Sequence, residues 1–171
     1  MLNEKIVSLL NDQINKELFS AYLYLDMSNY YYDEGLDGFG NWFKVQAQEE
    51  RDHAMLIMQY MQNNGKKISL GEIKAPNTTY SNHKIPLDES LKHEQYITES
   101  IHNIYDSAYN TKDYRTMQFL DWFVMEQGEE EKNSEELIRK YELFGTDSKG
   151  LYMLNSELAA RVYTAPSLVL E

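Results

Sequence analysis

The sequence contains no cysteine, which excludes disulfide bonds, thiolate metal sites, iron–sulfur clusters and cysteine nucleophiles. Basic residues are also scarce: 16 lysines and arginines against 28 acidic residues give a net charge of -12. This balance disfavours nucleic acid as a partner and favours the attraction of metal cations.

No stretch is apolar enough to cross a membrane, and none alternates with period two, so we expect no membrane partner and almost no sheet. The first six residues do not resemble a signal peptide, and we expect a cytoplasmic protein.

What the sequence does contain is a strong helical periodicity. A chain of 171 residues can bury one full core, so we expect a single domain over residues 1–171. Apolar and large side chains recur at steps of three and four in four long segments and one short one. We expect Asp88 to cap the third helix and Gly65 to follow the end of the second. The predicted helices cover about 4–33, 38–64, 88–110, 114–143 and 148–162.

The connection between the second and third helices is unusually long. The helical pattern is lost from Lys66 to Leu87, a segment with two prolines and a polar run at 77–82. A helix of about 27 residues is roughly 40 Å long, and about 22 extended residues can reach roughly 70 Å. The link can therefore return along the whole bundle. We predict an all-α four-helix bundle with one long crossover between helices 2 and 3, plus a short fifth C-terminal helix.

Each long helix carries a carboxylate near the middle of its inward-facing stripe. Glu50 and His53 are three residues apart, so an oxygen and a nitrogen can bind one cation, although such a pair taken alone is more often part of a solvated helix face. The complete set of inward groups is Glu17, Glu50, His53, Glu94 and Glu130. Several bare anions cannot share a dry core. Iron and similar metals accept this mixture of ligands, so the pattern predicts a pair of metal ions joined by a bridging carboxylate.

Four short segments together resemble the bacterial non-haem ferritins. These segments are residues 15–24 with Glu17 and Tyr24, Glu49-Glu50 with His53, His93-Glu94-Gln95, and Glu126-Gln127 with Glu129-Glu130. The resemblance implies that Glu17, Glu50 and His53 hold one iron. It also implies that Glu50, Glu94 and Glu130 hold a second, with Gln127 as a hydrogen-bonding neighbour. The acidic third site of bacterial members matches Glu49, Glu126 and Glu129, with Glu130 shared; a solvated helix end is the alternative for these residues.

The departures from related families narrow the expected function. The fourth helix offers Gln127 and Glu130 where many di-iron bundles carry a second Glu-x-x-His turn, and Arg51 replaces the haem-ligating methionine of bacterioferritins. We therefore expect no haem. The resemblance implies a ferroxidase that oxidises Fe(II) with O2 or H2O2 and stores ferric mineral. It also implies a hollow homo-oligomer of 24 subunits with octahedral symmetry.

Other residues near the predicted site have two interpretations. Tyr24 lies two turns beyond the first carboxylate on the same helix face, so it either hydrogen-bonds a metal ligand or supplies an electron; the alternative is a tyrosine that packs in the core. Trp122 is expected to pack, with electron donation as the alternative. We interpret His83, His93 and His102 as surface or core residues, because none has a partner at ligand spacing.

Two other functions stay open at this point. One is a ferritin-like oxygenase acting on an organic substrate, which would need an apolar cavity at the metal pair. The other is a passive storage or scaffold subunit, which would have lost ligands from the central set.

Overall fold

The computed structural model describes residues 2–76 and 79–170 and contains five helices. They are α1 (Glu4–Asp33), α2 (Asp37–Asn63), α3 (Ile85–Asn110), α4 (Tyr114–Phe144) and α5 (Ser148–Leu158). Helix α1 packs mainly on α2, α3 packs on α4, and α1 also contacts α3, while α5 rests on α2 and α4. No strand occurs in the described residues, and none of their helices is both long and apolar enough to cross a membrane. The predicted all-α bundle is confirmed.

The long crossover follows α1 along its length. Asn11 and Asn15 on α1 accept hydrogen bonds from the backbone N–H groups of Ser69 and Gly71, at 2.7 and 3.1 Å. Further along, the Tyr31 hydroxyl donates to the carbonyl oxygen of His83 at 2.6 Å. Residues 77 and 78, which belong to the polar run predicted at 77–82, lie outside the described residues. The contacts on either side of them agree with a link that returns along the bundle.

Two helix boundaries differ from the prediction by more than one residue. Helix α3 begins at Ile85 and not at Asp88, because Pro86 fits the first turn and Asn82 Oδ1 accepts the N–H groups of Lys84 and Ile85. The expected capping role of Asp88 is therefore wrong: its carboxylate accepts a hydrogen bond from the Lys84 ammonium at 2.7 Å. Helix α5 ends at Leu158, four residues before the predicted bound of 162. Beyond it the chain turns back, and the Asn41 amide binds the carbonyl oxygen of Arg161 at 2.9 Å.

The apolar core is divided into two clusters by a polar layer. One cluster includes Ile14 of α1, Ala54 of α2, Ile97 of α3 and Phe123 of α4. The other includes Leu23, Ala47, Leu87 and Leu137 of the same four helices. In each of these four helices the carboxylate of the predicted site lies between the two cluster residues in sequence. The helices thus carry these carboxylates to one level of the bundle.

Gly38 allows α2 to approach α5 closely. A Cβ atom at this position would lie 1.7 Å from the backbone oxygen of Asn155, whose side chain accepts the Gly38 N–H at 2.8 Å. We expect Gly38→Ala to push α5 away and lower the free energy of unfolding by about 1–3 kcal/mol. The matched control is Gly128→Ala within α4, where nothing lies within 4 Å. That change should stabilise the helix by roughly 0.5–1 kcal/mol. Chemical unfolding of both variants checks the pair, and equal effects would contradict the close approach.

Candidate metal centre

The polar layer brings together all five side chains of the predicted central site. Each is at most 5% exposed, and Gln127 beside them is 2% exposed. The five are Glu17 from α1, Glu50 and His53 from α2, Glu94 from α3 and Glu130 from α4. Burial of so many ionisable groups is costly unless they are paired or bind a cation.

Glu17, Glu50 and His53 offer one ligand atom each within 4.8 Å of one another. The Glu50 Oε2 to His53 Nδ1 distance is 3.5 Å, which suits an ion pair but is long for a hydrogen bond. Within the described residues, Glu17 Oε2, Glu50 Oε2 and His53 Nδ1 have no hydrogen-bond partner. A buried polar atom without a partner costs about 1–3 kcal/mol. Three such atoms from one ligand set match the donors that a divalent metal ion would take.

The other two carboxylates are held by neighbours. Glu94 accepts hydrogen bonds from the Tyr24 hydroxyl and, at 3.1 Å, from the Gln127 amide. Glu130 accepts one from the Gln46 amide at 2.8 Å and also forms a second possible ligand set with His53 and Glu126, again within 4.8 Å. Glu94 belongs to neither set in the described residues, and each of its two oxygens accepts a hydrogen bond.

Burial and mutual repulsion shift the pKa values of the ionisable groups in the layer. Burial, followed by the charge of Glu50, raises the pKa of Glu17 to about 8 and that of Glu94 to about 8. Burial also raises the pKa of Glu130 well above 4.5. For His53, burial acts to lower the pKa, but Glu50 and the other carboxylates outweigh it and raise the value to about 10. For Glu50, burial acts to raise the pKa, yet His53 and Gln46 lower it. The raised pKa values of Glu17 and Glu94 favour their protonated forms at neutral pH, so a metal ion that binds these carboxyls must displace protons.

Two glutamines of the layer were not predicted as site residues. The Gln46 amide nitrogen donates to both Glu50, at 2.9 Å, and Glu130, at 2.8 Å, so it joins α2 to α4. The Gln13 amide donates to Glu17 at 2.8 Å. Each glutamine precedes its glutamate by four residues on the same helix face. That Gln-x-x-x-Glu spacing is visible in the sequence, but a neutral glutamine on a helix face does not by itself indicate a metal site.

The residues of the predicted third site line an open cavity of about 430 Å³ next to His53. Glu49 and Glu126 are half-buried and Glu129 is exposed. Burial raises the pKa of Glu49 and that of Glu126. Arg161 already occupies part of the cluster, with its Nη2 atom 2.6 Å from Glu49 Oε2. The sequence offered no reason to connect residue 161 with this cavity.

Tyr24 and Trp122 contact residues of the site, whereas the described histidines other than His53 do not serve as ligands of either set. Tyr24 contacts the site directly through Glu94. Trp122 packs edge-on against His53, with ring centroids 5.5 Å apart, and its indole N–H donates to Ser167. His93 lies near Tyr24 and exchanges a hydrogen bond with Ser20 at 2.7 Å. His83 lies 3.1 Å from Glu34, and His102 is exposed.

Comparison with known proteins agrees with this architecture. The model of the ferritin-like domain matches residues 7–144. The bacterial non-heme ferritin of Campylobacter jejuni is 39% identical over 153 residues, covering 90% of this chain and 92% of that protein. The corresponding ferritin of Staphylococcus epidermidis is also 39% identical, over 95% of this chain and 98% of its own length.

Solved structures show the same fold. A humanized archaeal ferritin superposes with a TM-score of 0.94 at 40% identity, covering 96% of this chain and 99% of that one. An open pore ferritin from Archaeoglobus fulgidus superposes with a TM-score of 0.92 at 38% identity, covering 95% of this chain and 100% of that one. The expected resemblance is confirmed, and the chain belongs to the ferritin family, in the branch of the bacterial non-haem ferritins.

Proposed function

We propose that this ferritin oxidises Fe(II) at a di-iron centre in its polar layer and stores the ferric product. The observation that carries the proposal is the set of three buried ligand atoms without hydrogen-bond partners, on Glu17, Glu50 and His53. Their carboxylate and imidazole chemistry suits iron, and their mutual distances suit a single ion. Family membership supports iron as the metal.

The first iron binds Glu17, Glu50 and His53, and the second binds Glu50, Glu94 and Glu130. Glu50 is the bridge, which fits the lowered pKa that keeps it ionised before any metal arrives. Glu94 exchanges its proton for the metal, while Gln127 and Tyr24 remain beside it as hydrogen-bond donors. No haem takes part.

The reaction transfers one electron from each of two Fe(II) ions to the oxidant. With O2, two electrons and two protons give H2O2; with H2O2, two electrons and two protons give two water molecules. Anionic oxygen ligands favour Fe(III) over Fe(II) and so assist the electron transfer. The protons that iron displaces from Glu17 and Glu94 are released where the oxidant consumes them.

The product leaves through the acidic cavity formed by Glu49, Glu126 and Glu129, with Glu130 shared between the two sites. His53 and Glu130 line this cavity and also belong to the central layer, so the two sites are continuous. The cavity serves as a third iron site between the central layer and the mineral.

The subunit works in a cytoplasmic homo-oligomer, a shell of 24 copies with octahedral symmetry around the mineral. One open face supports a subunit contact: a groove of about 660 Å³ between α1 and α2 carries exposed Tyr22 and Leu25 beside Ile73 of the crossover. Apolar surface of this kind is typical of association surfaces.

The two alternative functions fit less well. An oxygenase would present an apolar cavity at the metals, but the cavity that reaches His53 carries Glu49, Glu126 and Glu129. A passive scaffold would have lost central ligands, but all five side chains are present and buried.

Stopped-flow oxidation tests the proposal. Metal-free protein is loaded anaerobically with Fe(II) and mixed with O2, and near-ultraviolet absorbance is followed while the particle mass is measured on the same sample. We expect a fast phase that saturates near two irons per chain, on a particle about 24 times the chain mass. A monomer or dimer without a fast phase would refute the proposal.

Tyr24→Phe tests the hydrogen bond to Glu94. Loss of the donor should slow the fast phase by roughly tenfold, because residues that orient metal ligands typically contribute 10–100-fold. The iron stoichiometry should stay the same. Tyr105→Phe is the matched control, since its hydroxyl bonds Asp121 at 2.9 Å away from the layer. If both variants oxidise Fe(II) at the same rate, the Tyr24 hydroxyl has no role at the site.

A further inference from the structure

We propose that Arg161 is a built-in cation of the third site, which neutralises Glu49 and lowers the affinity of the cavity for a third metal ion. The inference rests on the proposed function, because it takes the acidic cavity as a station for iron. It gives the segment after α5 a role in setting how long the cavity retains iron.

One guanidinium group makes all the contacts that carry this inference. Its Nη2 atom lies 2.6 Å from Glu49 Oε2 and donates to Gln46 Oε1 at 2.9 Å, while Nη1 donates to the Trp42 carbonyl oxygen at 3.2 Å. The guanidinium carbon also lies 4.1 Å from the centre of the Trp42 ring. The Arg161 and Glu49 side chains are only 16% and 18% exposed. Solvent therefore screens this ion pair less than it would a pair on the open surface.

The chain around Arg161 holds it over the cavity. Asn41 binds the Arg161 carbonyl oxygen, and the Tyr163 hydroxyl donates to Asp52. Further on, Ser167 accepts the indole N–H of Trp122 at 2.9 Å. The cavity lined by Glu49, Glu126 and Glu129 is also lined by residues 161, 162 and 164–167 of this tail. The arginine is thus positioned by several independent contacts and not by Glu49 alone.

Two consequences follow from this geometry. A metal ion that binds Glu49 must displace the guanidinium from this carboxylate, so Arg161 and the third ion compete. The guanidinium also occupies Gln46 Oε1, which leaves the Gln46 amide nitrogen facing Glu50 and Glu130. Arg161 is therefore a positioning residue that links the third site to the central layer.

Anaerobic titration calorimetry with Fe(II) on the assembled protein tests the competition. In Arg161→Gln, the third ion should bind at least about fivefold more tightly, which is the lower range of coupling between linked sites, and the first two ions should change less. Arg161→Lys keeps the positive charge but not the guanidinium contacts, so it should tighten binding of the third ion less than Arg161→Gln does. In a Glu49→Gln background, Arg161→Gln should no longer tighten binding. An unchanged or weaker third ion in Arg161→Gln would overturn the inference.

Tyr163→Phe separates charge from the mobility of the tail. It removes a tail contact to Asp52 and leaves the Arg161 charge in place, so the third ion should bind as in wild type. If Tyr163→Phe tightens binding as much as Arg161→Gln, tail mobility is the cause and the inference fails. A wild-type protein without two-iron oxidation would instead refute the proposed function.

A crystal of the wild-type protein loaded with three equivalents of Fe(II) gives a second test that needs no variant. We expect Arg161 to lie away from Glu49 when the third ion is bound there. A third ion on Glu49 with the ion pair intact would overturn the competition.

Discussion

Glu50→Ala is expected to slow the fast phase of Fe(II) oxidation by on the order of a hundredfold or more. Loss of a residue that merely orients a ligand already costs 10–100-fold, and Glu50 is the ligand assigned to both ions. The substitution also leaves the buried His53 without its nearest carboxylate, 3.5 Å away. Stopped-flow absorbance under the same iron load measures the rate, and particle mass should remain that of the wild type.

Two companion variants make this result specific. Glu50→Gln keeps the size of the side chain and removes its charge, so it should be nearly as slow as Glu50→Ala. Glu99→Ala removes an exposed glutamate from α3 and should oxidise iron at the wild-type rate. Oxidation by Glu50→Ala at the rate of Glu99→Ala would show that the assigned bridge is wrong.

The thermal stability of the metal-free protein should fall as the pH rises from about 6 to 9. The folded-state pKa values of Glu17 and Glu94, both about 8, exceed their ordinary value of 4.5. Their protonated forms therefore stabilise the fold at low pH, and this contribution is lost as the pH approaches 8. The raised pKa of His53, about 10 against 6.5, extends the loss above pH 8. Calorimetry at a fixed scan rate should show a lower midpoint of thermal unfolding at each higher pH.

Metal binding should reverse this loss. At a free metal concentration of 100 times Kd, each site adds about 2.7 kcal/mol, which corresponds to roughly 5–10 °C for a chain of this size. Zn²⁺ serves as a redox-inert probe at pH 8. Glu17→Gln cannot ionise and should flatten part of the pH dependence. A flat profile in the wild type, or no shift with Zn²⁺, would contradict a buried metal layer.

Much of the fold was predictable because each helix carries its own signal. Helix α1 was predicted with its observed bounds, since its periodic stripe continues to Tyr31, and in the structure Asn3 caps its first turn. The start of α3 was not, because aspartate is a common capping residue and only the fold shows that Asn82 accepts the N–H groups of Lys84 and Ile85. The end of α5 depends on Arg161 and Asn41, which lie far apart in sequence. Local patterns give helices, but tertiary contacts decide where these two begin or end.

The site also contains residues that the sequence predicts and contacts that it does not. Glu17, Glu50, His53, Glu94 and Glu130 could be predicted to meet, because charge at the centre of an apolar stripe is costly and therefore informative. The hydrogen bonds between Gln46 and Glu130, and between Arg161 and Glu49, join residues more than 80 positions apart. No spacing rule within one helix reveals such pairs. The roles of the individual ligands remain predictions that rest on the geometry of the layer.

The most direct test of the di-iron centre is anomalous diffraction at the iron edge from crystals soaked anaerobically with Fe(II). We expect two peaks per chain within the buried layer, one beside Glu17 and His53 and one beside Glu94 and Glu130, with Glu50 between them. Iron bound only at exposed acidic residues, with none in the layer, would contradict the account.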